Sequence, residues 1–232
     1  MALTAELVAR CHRDEPDPGP EPGYPEFTEE EYDAAVAALL RDRKETGPLW
    51  LFAYGSLIWK PSFESVEHRR ATVQGWHRAF CMEMNRWRGS PQQLGLMMAL
   101  QRGGHCEGVA YRLPDGDLAA QVGRLLRREV SDAGSLSAVR WLSADIGGET
   151  HQALTFWVDP GTLDYIVTRP LPEVAHILAR ACGHVGSGAE YLFRTVSKLE
   201  ELGIRDDDLW TLQELVAEEI KLLIAKAAAD AP

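Results

Sequence analysis

The sequence predicts an α+β domain built as a small mixed β-barrel with helices packed around it. Runs of strand-forming residues cluster between positions 49 and 158, whereas the pattern from Pro170 onward is helical throughout. The strand runs number about six, enough to close a small barrel rather than leave an open sheet. The apolar run Leu49-Trp-Leu-Phe-Ala-Tyr-Gly-Ser-Leu-Ile-Trp-Lys-Pro61 opens the strand region and stops at a Gly-Ser pair, which reads as a buried strand feeding a tight loop.

The elements follow in order. Residues 1 to 13 have room for one short helix, and the proline-dense stretch Asp14 to Pro25 reads as an extended linker. Thr28 and Glu31 stand at the spacing of a capping box, and Ala34 to Leu40 supply strong helix formers ending before Gly47-Pro48. Residues 1–48 are therefore expected to be an N-terminal helical and Pro-rich extension, and residues 49–232 the main domain with its C-terminal helices. Arg70 to Met84 alternates partly, as a long antiparallel strand does. A loop over Arg86 to Pro91 follows. Leu94 to Leu100 and Cys106 to Leu113 read as two strands joined in a hairpin at Arg102-Gly-Gly104. Leu118, Val122, Leu125 and Leu126 recur at helical spacing in a helix ending near Glu129, before a turn at Asp132-Ala-Gly134. Two more strands are expected over Ser137 to Leu142 and Gln152 to Val158, separated by Gly147-Gly148. Three helices close the chain: one from about Pro172 to Gly183, one from Gly188 through Leu199 to Gly203, and one from about Asp206 into the Ala-rich tail.

Composition narrows the function. The 232 residues carry a net charge of -11 and no dense Lys/Arg cluster, which disfavours nucleic acid or an anionic membrane as partner and favours a small molecule. Cys11, Cys81, Cys106 and Cys182 are far apart and form no CxxC pair, so reduced, buried thiols are expected. The N-terminus lacks the basic-then-apolar order of a signal peptide and no apolar run spans a bilayer; the expectation is a cytoplasmic protein. The seven histidines include no pair at i, i+4 spacing, so no metal is expected. No GxGxxG or P-loop follows a strand, and Gly183-His-Val-Gly-Ser-Gly188 reads as a connection between helices. The residues say nothing of oligomeric state.

Few ionisable residues fall where burial is expected. Gly55, lacking a Cβ, is free to take a positive φ, and the amides of Gly55, Ser56 and Leu57 can converge on an anion; a plain structural turn is the alternative. Glu129 is either a solvated helix-end glutamate paired with Arg124, Arg127 or Arg128, or a buried acid/base. Tyr54 either packs in the core with its hydroxyl satisfied or offers that hydroxyl to a ligand. From the residues alone these alternatives stay open.

Taken in register, Tyr54-Gly-Ser-Leu-Ile-Trp59, Gly75-Trp-His-Arg-Ala-Phe80, Arg88-Gly-Ser-Pro91, Gly108-Val-Ala-Tyr-Arg-Leu113, Arg128-Glu129, and Glu190-Tyr-Leu192 followed by Gly203-Ile204 resemble the ChaC family of γ-glutamylcyclotransferases over roughly residues 49 to 217. The resemblance implies the γ-glutamylcyclotransferase-like fold and cleavage of glutathione to 5-oxoproline and cysteinylglycine, without cofactor or metal. It implies that Glu129 is the catalytic acid/base, that Tyr54, Gly55, Ser56 and Leu57 cradle the γ-glutamyl group, and that Tyr191 lines the pocket. Two departures from the family pattern stand out: Val130-Ser-Asp-Ala-Gly134 follows Glu129 with no tyrosine, and Trp87 replaces a histidine before Arg88-Gly89. The same fold and loop also serve enzymes acting on other γ-glutamyl amines, and a non-catalytic ligand-binding module is the rival from another class.

Overall fold

The computed structural model describes residues 1–19, 27–131, 134–159 and 163–230. The chain divides into two compact units, a barrel unit of Pro20–Ala79 and Ala99–Thr162 and a helical unit of Met1–Gly19, Phe80–Met98 and Leu163–Pro232. Part of the expected linker, residues 20 to 25, and the expected turn at Asp132-Ala133 lie outside the described residues.

In the barrel unit the first strand, β1 (Trp50–Ala53), is buried at all four positions, as an unbroken apolar run must be. It pairs antiparallel with the end of β3 (Gly95–Arg112), Trp50 opposite Arg112 and Ala53 opposite Val109. On its other side it runs parallel to β5 (Glu149–Thr155), with Trp50 opposite Ala153 and Leu51 opposite Leu154. With β2 (Glu67–Met84) and β4 (Arg140–Ile146) the ring closes in the order β1-β3-β2-β4-β5. Closure leaves no open sheet edge, and fully buried Phe52, Leu100, Ile146 and Leu154 belong to the core.

Two sequence expectations change here. Gly95–Arg112 forms one continuous strand, not a hairpin, although Gly103 and Gly104 do carry positive φ angles of 104° and 63°. Their left-handed backbone is absorbed as an irregularity within the ribbon, where the Gly103 carbonyl faces His77 Nδ1 at 3.1 Å and the Arg102 guanidinium lies 5.0 Å from the Trp76 ring centre. The strand expected over Ser137 to Leu142 begins later, because Gly134–Ala138 winds into a short 3-10 turn before β4.

Around the barrel pack α2 (Glu29–Asp42), the single turn α3 (Ser56–Trp59) and α4 (Leu118–Glu129). The capping box read from Thr28 and Glu31 is present, with both reciprocal bonds formed. α2 lies against α4, and the Trp141 indole donates to the Leu39 carbonyl at 3.0 Å. Residues 27–48 are thus built into the barrel unit, whereas residues 1–19 belong to the helical unit.

The helical unit holds α1 (Ala5–Ala9), α5 (Leu171–Leu178), α6 (Gly188–Glu201) and α7 (Asp207–Ala229). Between α5 and α6 lies a two-residue hairpin, β6 (Cys182–Gly183) with β7 (Gly186–Ser187), that the glycine spacing had suggested only as a connection. Buried Gln213 on α7 accepts the amides of Ala2 and Leu3 at 2.7 and 2.9 Å, which fixes the N-terminal segment. All four cysteines are free and buried. Among the described residues no helix is long and apolar enough to cross a membrane.

Candidate functional site

β1 ends in Tyr54, and the chain turns there into α3. The Tyr54 side chain is 7% exposed and its hydroxyl donates to the Phe156 and Trp157 carbonyls at 2.8 and 3.1 Å. Between the two alternatives for this residue, the hydroxyl is spent within the protein. It pins the turn to the segment after β5. The Tyr54 carbonyl is held from another side by Arg78 on β2, whose guanidinium donates to it at 2.8 Å. Gly108 faces this strand so closely that a Cβ there would lie 2.9 Å from the Phe52 ring.

Gly55 follows with φ -135° and ψ -127°, so the positive φ expected for it is not adopted. It serves instead as the residue preceding the first turn of α3, and its carbonyl accepts the Ile58 amide at 3.0 Å. The Lys60 amide reaches the Ser56 carbonyl at 2.8 Å. The first amides of a helical turn have no acceptor within that turn, and in α3 these include the amides of Ser56 and Leu57.

Glu129 is the last residue of α4, a strongly amphipathic helix that buries Val122, Gly123, Leu125 and Leu126. The burial of that face carries the end of the helix inward, and the Glu129 side chain is only 11% exposed. Burial raises its pKa above the ordinary glutamate range, and Arg128, with Nε 3.0 Å from Oε1, acts in the opposite direction without cancelling the rise. Arg127 is drawn away to Glu29 on α2, with its guanidinium 5.0 Å from the Tyr32 ring centre, while the Tyr32 hydroxyl donates to the Val130 carbonyl at 2.8 Å. α2 therefore fixes the C-terminal end of α4.

The Arg128 guanidinium also donates to Ser62 Oγ at 2.7 Å, three residues beyond α3. The residue next to Glu129 is thus tied to the segment that follows α3, within the barrel unit. Tyr191 lies in the helical unit. There it is buried on α6, with its ring edge-on to Phe80 at 5.4 Å and the Arg88 guanidinium 5.6 Å from its centre. Arg88 in turn bonds Glu190 at 2.5 Å and the Ser187 carbonyl at 3.0 Å.

Sequence reasoning assigned no role to Arg78 or to Tyr32. A cation at an inward position of β2, two residues before buried Phe80, was the available signal for the first. Contact with α4 across some 98 residues of sequence left none for the second.

A family profile described as ChaC-like protein matches residues 49–219. The chain belongs to the ChaC-like family. Over 198 residues it is 38% identical to the glutathione-specific gamma-glutamylcyclotransferase of Escherichia coli (strain K12), a match covering 85% of this chain and 84% of that protein. It is 28% identical over 163 residues to glutathione-specific gamma-glutamylcyclotransferase 1 of Homo sapiens, covering 69% and 73% of the two chains. A crystal structure of a glutathione-specific γ-glutamyl cyclotransferase from yeast superposes with a TM-score of 0.65 at 18% identity, covering 75% of this chain and 97% of that one. The γ-glutamylcyclotransferase-like fold of this ChaC-like chain is therefore as the sequence predicted.

Proposed function

We infer that this chain cleaves glutathione to 5-oxoproline and cysteinylglycine, with Glu129 as both general base and general acid. The single observation that carries the role of Glu129 is its burial at the end of α4 with a raised pKa. In a γ-glutamyl peptide the α-amine can fold back onto the γ-carbonyl carbon, so nucleophile and electrophile already share one molecule, and the protein's task is mainly to hold the folded conformer. The new bond joins the α-nitrogen to the γ-carbon and closes a five-membered lactam. The bond that breaks joins the same carbon to the cysteine nitrogen, which leaves as a neutral amine. The amine gives up a proton and the leaving nitrogen takes one, so one carboxylate serves both transfers with no net gain or loss.

An ordinary glutamate, with a pKa of about 4.3, is a weak base towards an α-amine near 8. Burial narrows that gap, which is the physical support for giving Glu129 this task. The amides of Gly55, Ser56 and Leu57 hold the α-carboxylate of the substrate, in keeping with the positive end of the α3 turn. Tyr191 enters only through the resemblance. Reduced glutathione as substrate, together with four buried free thiols, supports action in the reducing cytoplasm.

The test is to incubate the purified protein with reduced glutathione and follow 5-oxoproline and cysteinylglycine by mass spectrometry, with Glu129→Gln alongside. Equal appearance of both products in the wild type, reduced at least about 100-fold in the variant, is the expected result. Turnover of other γ-glutamyl amines but not of glutathione would move the substrate assignment. A Glu129→Gln variant retaining most of its rate would remove the assignment of the base, and binding without any turnover would favour the non-catalytic module.

A further inference from the structure

Arg140 is the first residue of β4, and the chemistry above makes no use of it. Its neighbours on the strand fix the face to which it belongs. The Trp141 indole reaches outward to the Leu39 carbonyl of α2 at 3.0 Å, whereas Leu142, Ala144 and Ile146 share the opposite face, on which Ala144 and Ile146 are fully buried. Arg140 stands on that inward face, at the end of the barrel, directly opposite Thr155 of β5. The residue after Thr155, Phe156, supplies the carbonyl that accepts the Tyr54 hydroxyl. The Arg140 side chain is half-buried, and its Nε is buried without an acceptor. Among the described residues no carboxylate, carbonyl or aromatic ring engages its guanidinium.

Taking a cation partly out of water without a partner is unfavourable, so an inward arginine left in this condition asks for an acceptor from outside the chain. Its planar fork matches a carboxylate, which it holds by two parallel hydrogen bonds. Glutathione carries two carboxylates, and their distances from the reacting carbon tell them apart. As the α-amine closes on the γ-carbonyl carbon, the glutamyl α-carboxylate becomes a substituent of the new ring, within about 4 Å of that carbon. The glycine carboxylate lies two residues along the leaving peptide, about 7 Å away.

α2 gives a measure on the protein side. The Tyr32 hydroxyl holds the carbonyl of Val130, next to Glu129, and the Leu39 carbonyl holds the indole of Trp141, next to Arg140. From Tyr32 to Leu39 is two turns of helix, about 10 Å. With the base at one anchor and the guanidinium at the other, the spacing suits the far carboxylate and not the one on the ring. We propose that Arg140 binds the glycine carboxylate of glutathione and so favours the tripeptide over γ-glutamyl compounds that lack this group. This rests on the functional reading above and names the contact by which the leaving dipeptide is recognised.

The experiment compares kcat/KM for glutathione, for its analogue with the glycine carboxylate converted to a primary amide, and for its analogue with the γ-glutamyl α-carboxylate so converted. Both analogues keep the α-amine and still cyclise. The wild type is expected to favour glutathione over the glycine amide by about 10-fold or more, the scale of a charge-assisted hydrogen-bonded pair. Arg140→Gln should bring that ratio close to unity by raising KM for glutathione, and leave the ratio of glutathione to the α-carboxamide unchanged. A folded Arg140→Gln protein that loses equal activity towards glutathione and the glycine amide would show a purely structural arginine and overturn the proposal, leaving the cyclotransferase reading intact. Collapse of the α-carboxamide ratio in its place would move Arg140 to the other carboxylate and overturn it as well. Should Arg140→Gln not fold, Arg140→Lys decides: a loss confined to glutathione supports the proposal, and an equal loss towards glutathione and the glycine amide overturns it. Absence of 5-oxoproline from the wild type on glutathione would instead remove the functional reading, and this inference with it.

Discussion

Replacing Tyr54 with phenylalanine deletes one oxygen and tests whether the first residue of the turn acts on substrate or on its own scaffold. In the structure the hydroxyl donates to the Phe156 carbonyl at 2.8 Å and to the Trp157 carbonyl at 3.1 Å. The Trp157 carbonyl also accepts the Leu100 amide at 2.9 Å, so the Phe156 carbonyl bears most of the loss. Stripping a donor from a buried carbonyl costs about 1–3 kcal/mol. The ring remains, and with it the stacking on Phe52 and the Arg78 bond to the Tyr54 carbonyl, so the lower half of that range is expected, about 1–2 kcal/mol. For a urea slope of about 2 kcal/mol/M this lowers the midpoint by about 0.5–1 M. Because the backbone of the turn is still held by Arg78, kcat on glutathione should stay within about threefold of wild type, an effect below one hydrogen bond. Urea unfolding followed by the tryptophan fluorescence, beside steady-state kinetics, measures both. A Phe variant with an unchanged midpoint and a kcat reduced 100-fold would refute the reasoning and place the hydroxyl on the substrate.

Three further outcomes follow from the same geometry. Burial raises the Glu129 pKa, so ionising this group in the folded state is unfavourable, and the penalty is absent below the unfolded value near 4.3 and grows as pH rises through the folded one. Glu129→Gln should therefore gain thermal stability over wild type as pH increases from about 4 to 8, and equal Tm differences at both ends would contradict it. Arg128 opposes the rise, so with Glu129 as the proposed base Arg128→Met should move the acid limb of the kcat/KM profile to still higher pH; an unmoved limb would mean that the ion pair is not felt there. Thr28→Ala removes one half of the capping box of α2, at a cost of about 1 kcal/mol, detectable by chemical denaturation with substrate KM unchanged.

Where the physics is local, the sequence was readable. Thr28 and Glu31 announced their box, α4 showed its apolar stripe, and the strand-to-turn break at Tyr54-Gly55 stands where the apolar run stops. The glycine pair at 103 and 104 misled because a positive φ serves a ribbon irregularity as well as a hairpin turn, and only pairing with a distant strand decides which. Gly55 misled in the opposite sense: glycine's freedom extends to φ -135° with ψ -127°, as well as to the left-handed region. The helix pattern left Glu129 open between a solvated and a buried carboxyl, and it gave no sign of the parting of its neighbours. Arg127 turns to Glu29 and Arg128 to Glu129 and Ser62, an allocation made by α2 and by the segment after α3, both far away in sequence.

The parallel seam between β1 and β5 has a consequence for how the protein comes into being. Trp50 and Leu51 emerge from the ribosome about a hundred residues before Ala153 and Leu154, their partners on that side. Until then β1 has a bare edge, and the Tyr54 hydroxyl awaits the carbonyls of Phe156 and Trp157. Contacts this distant in sequence carry a loop-closure penalty before they return any stabilisation, and they slow folding. The turn after β1 is thus translated early and completed late, so a nascent chain halted before β5 would carry its sequence without the acceptors of the Tyr54 hydroxyl.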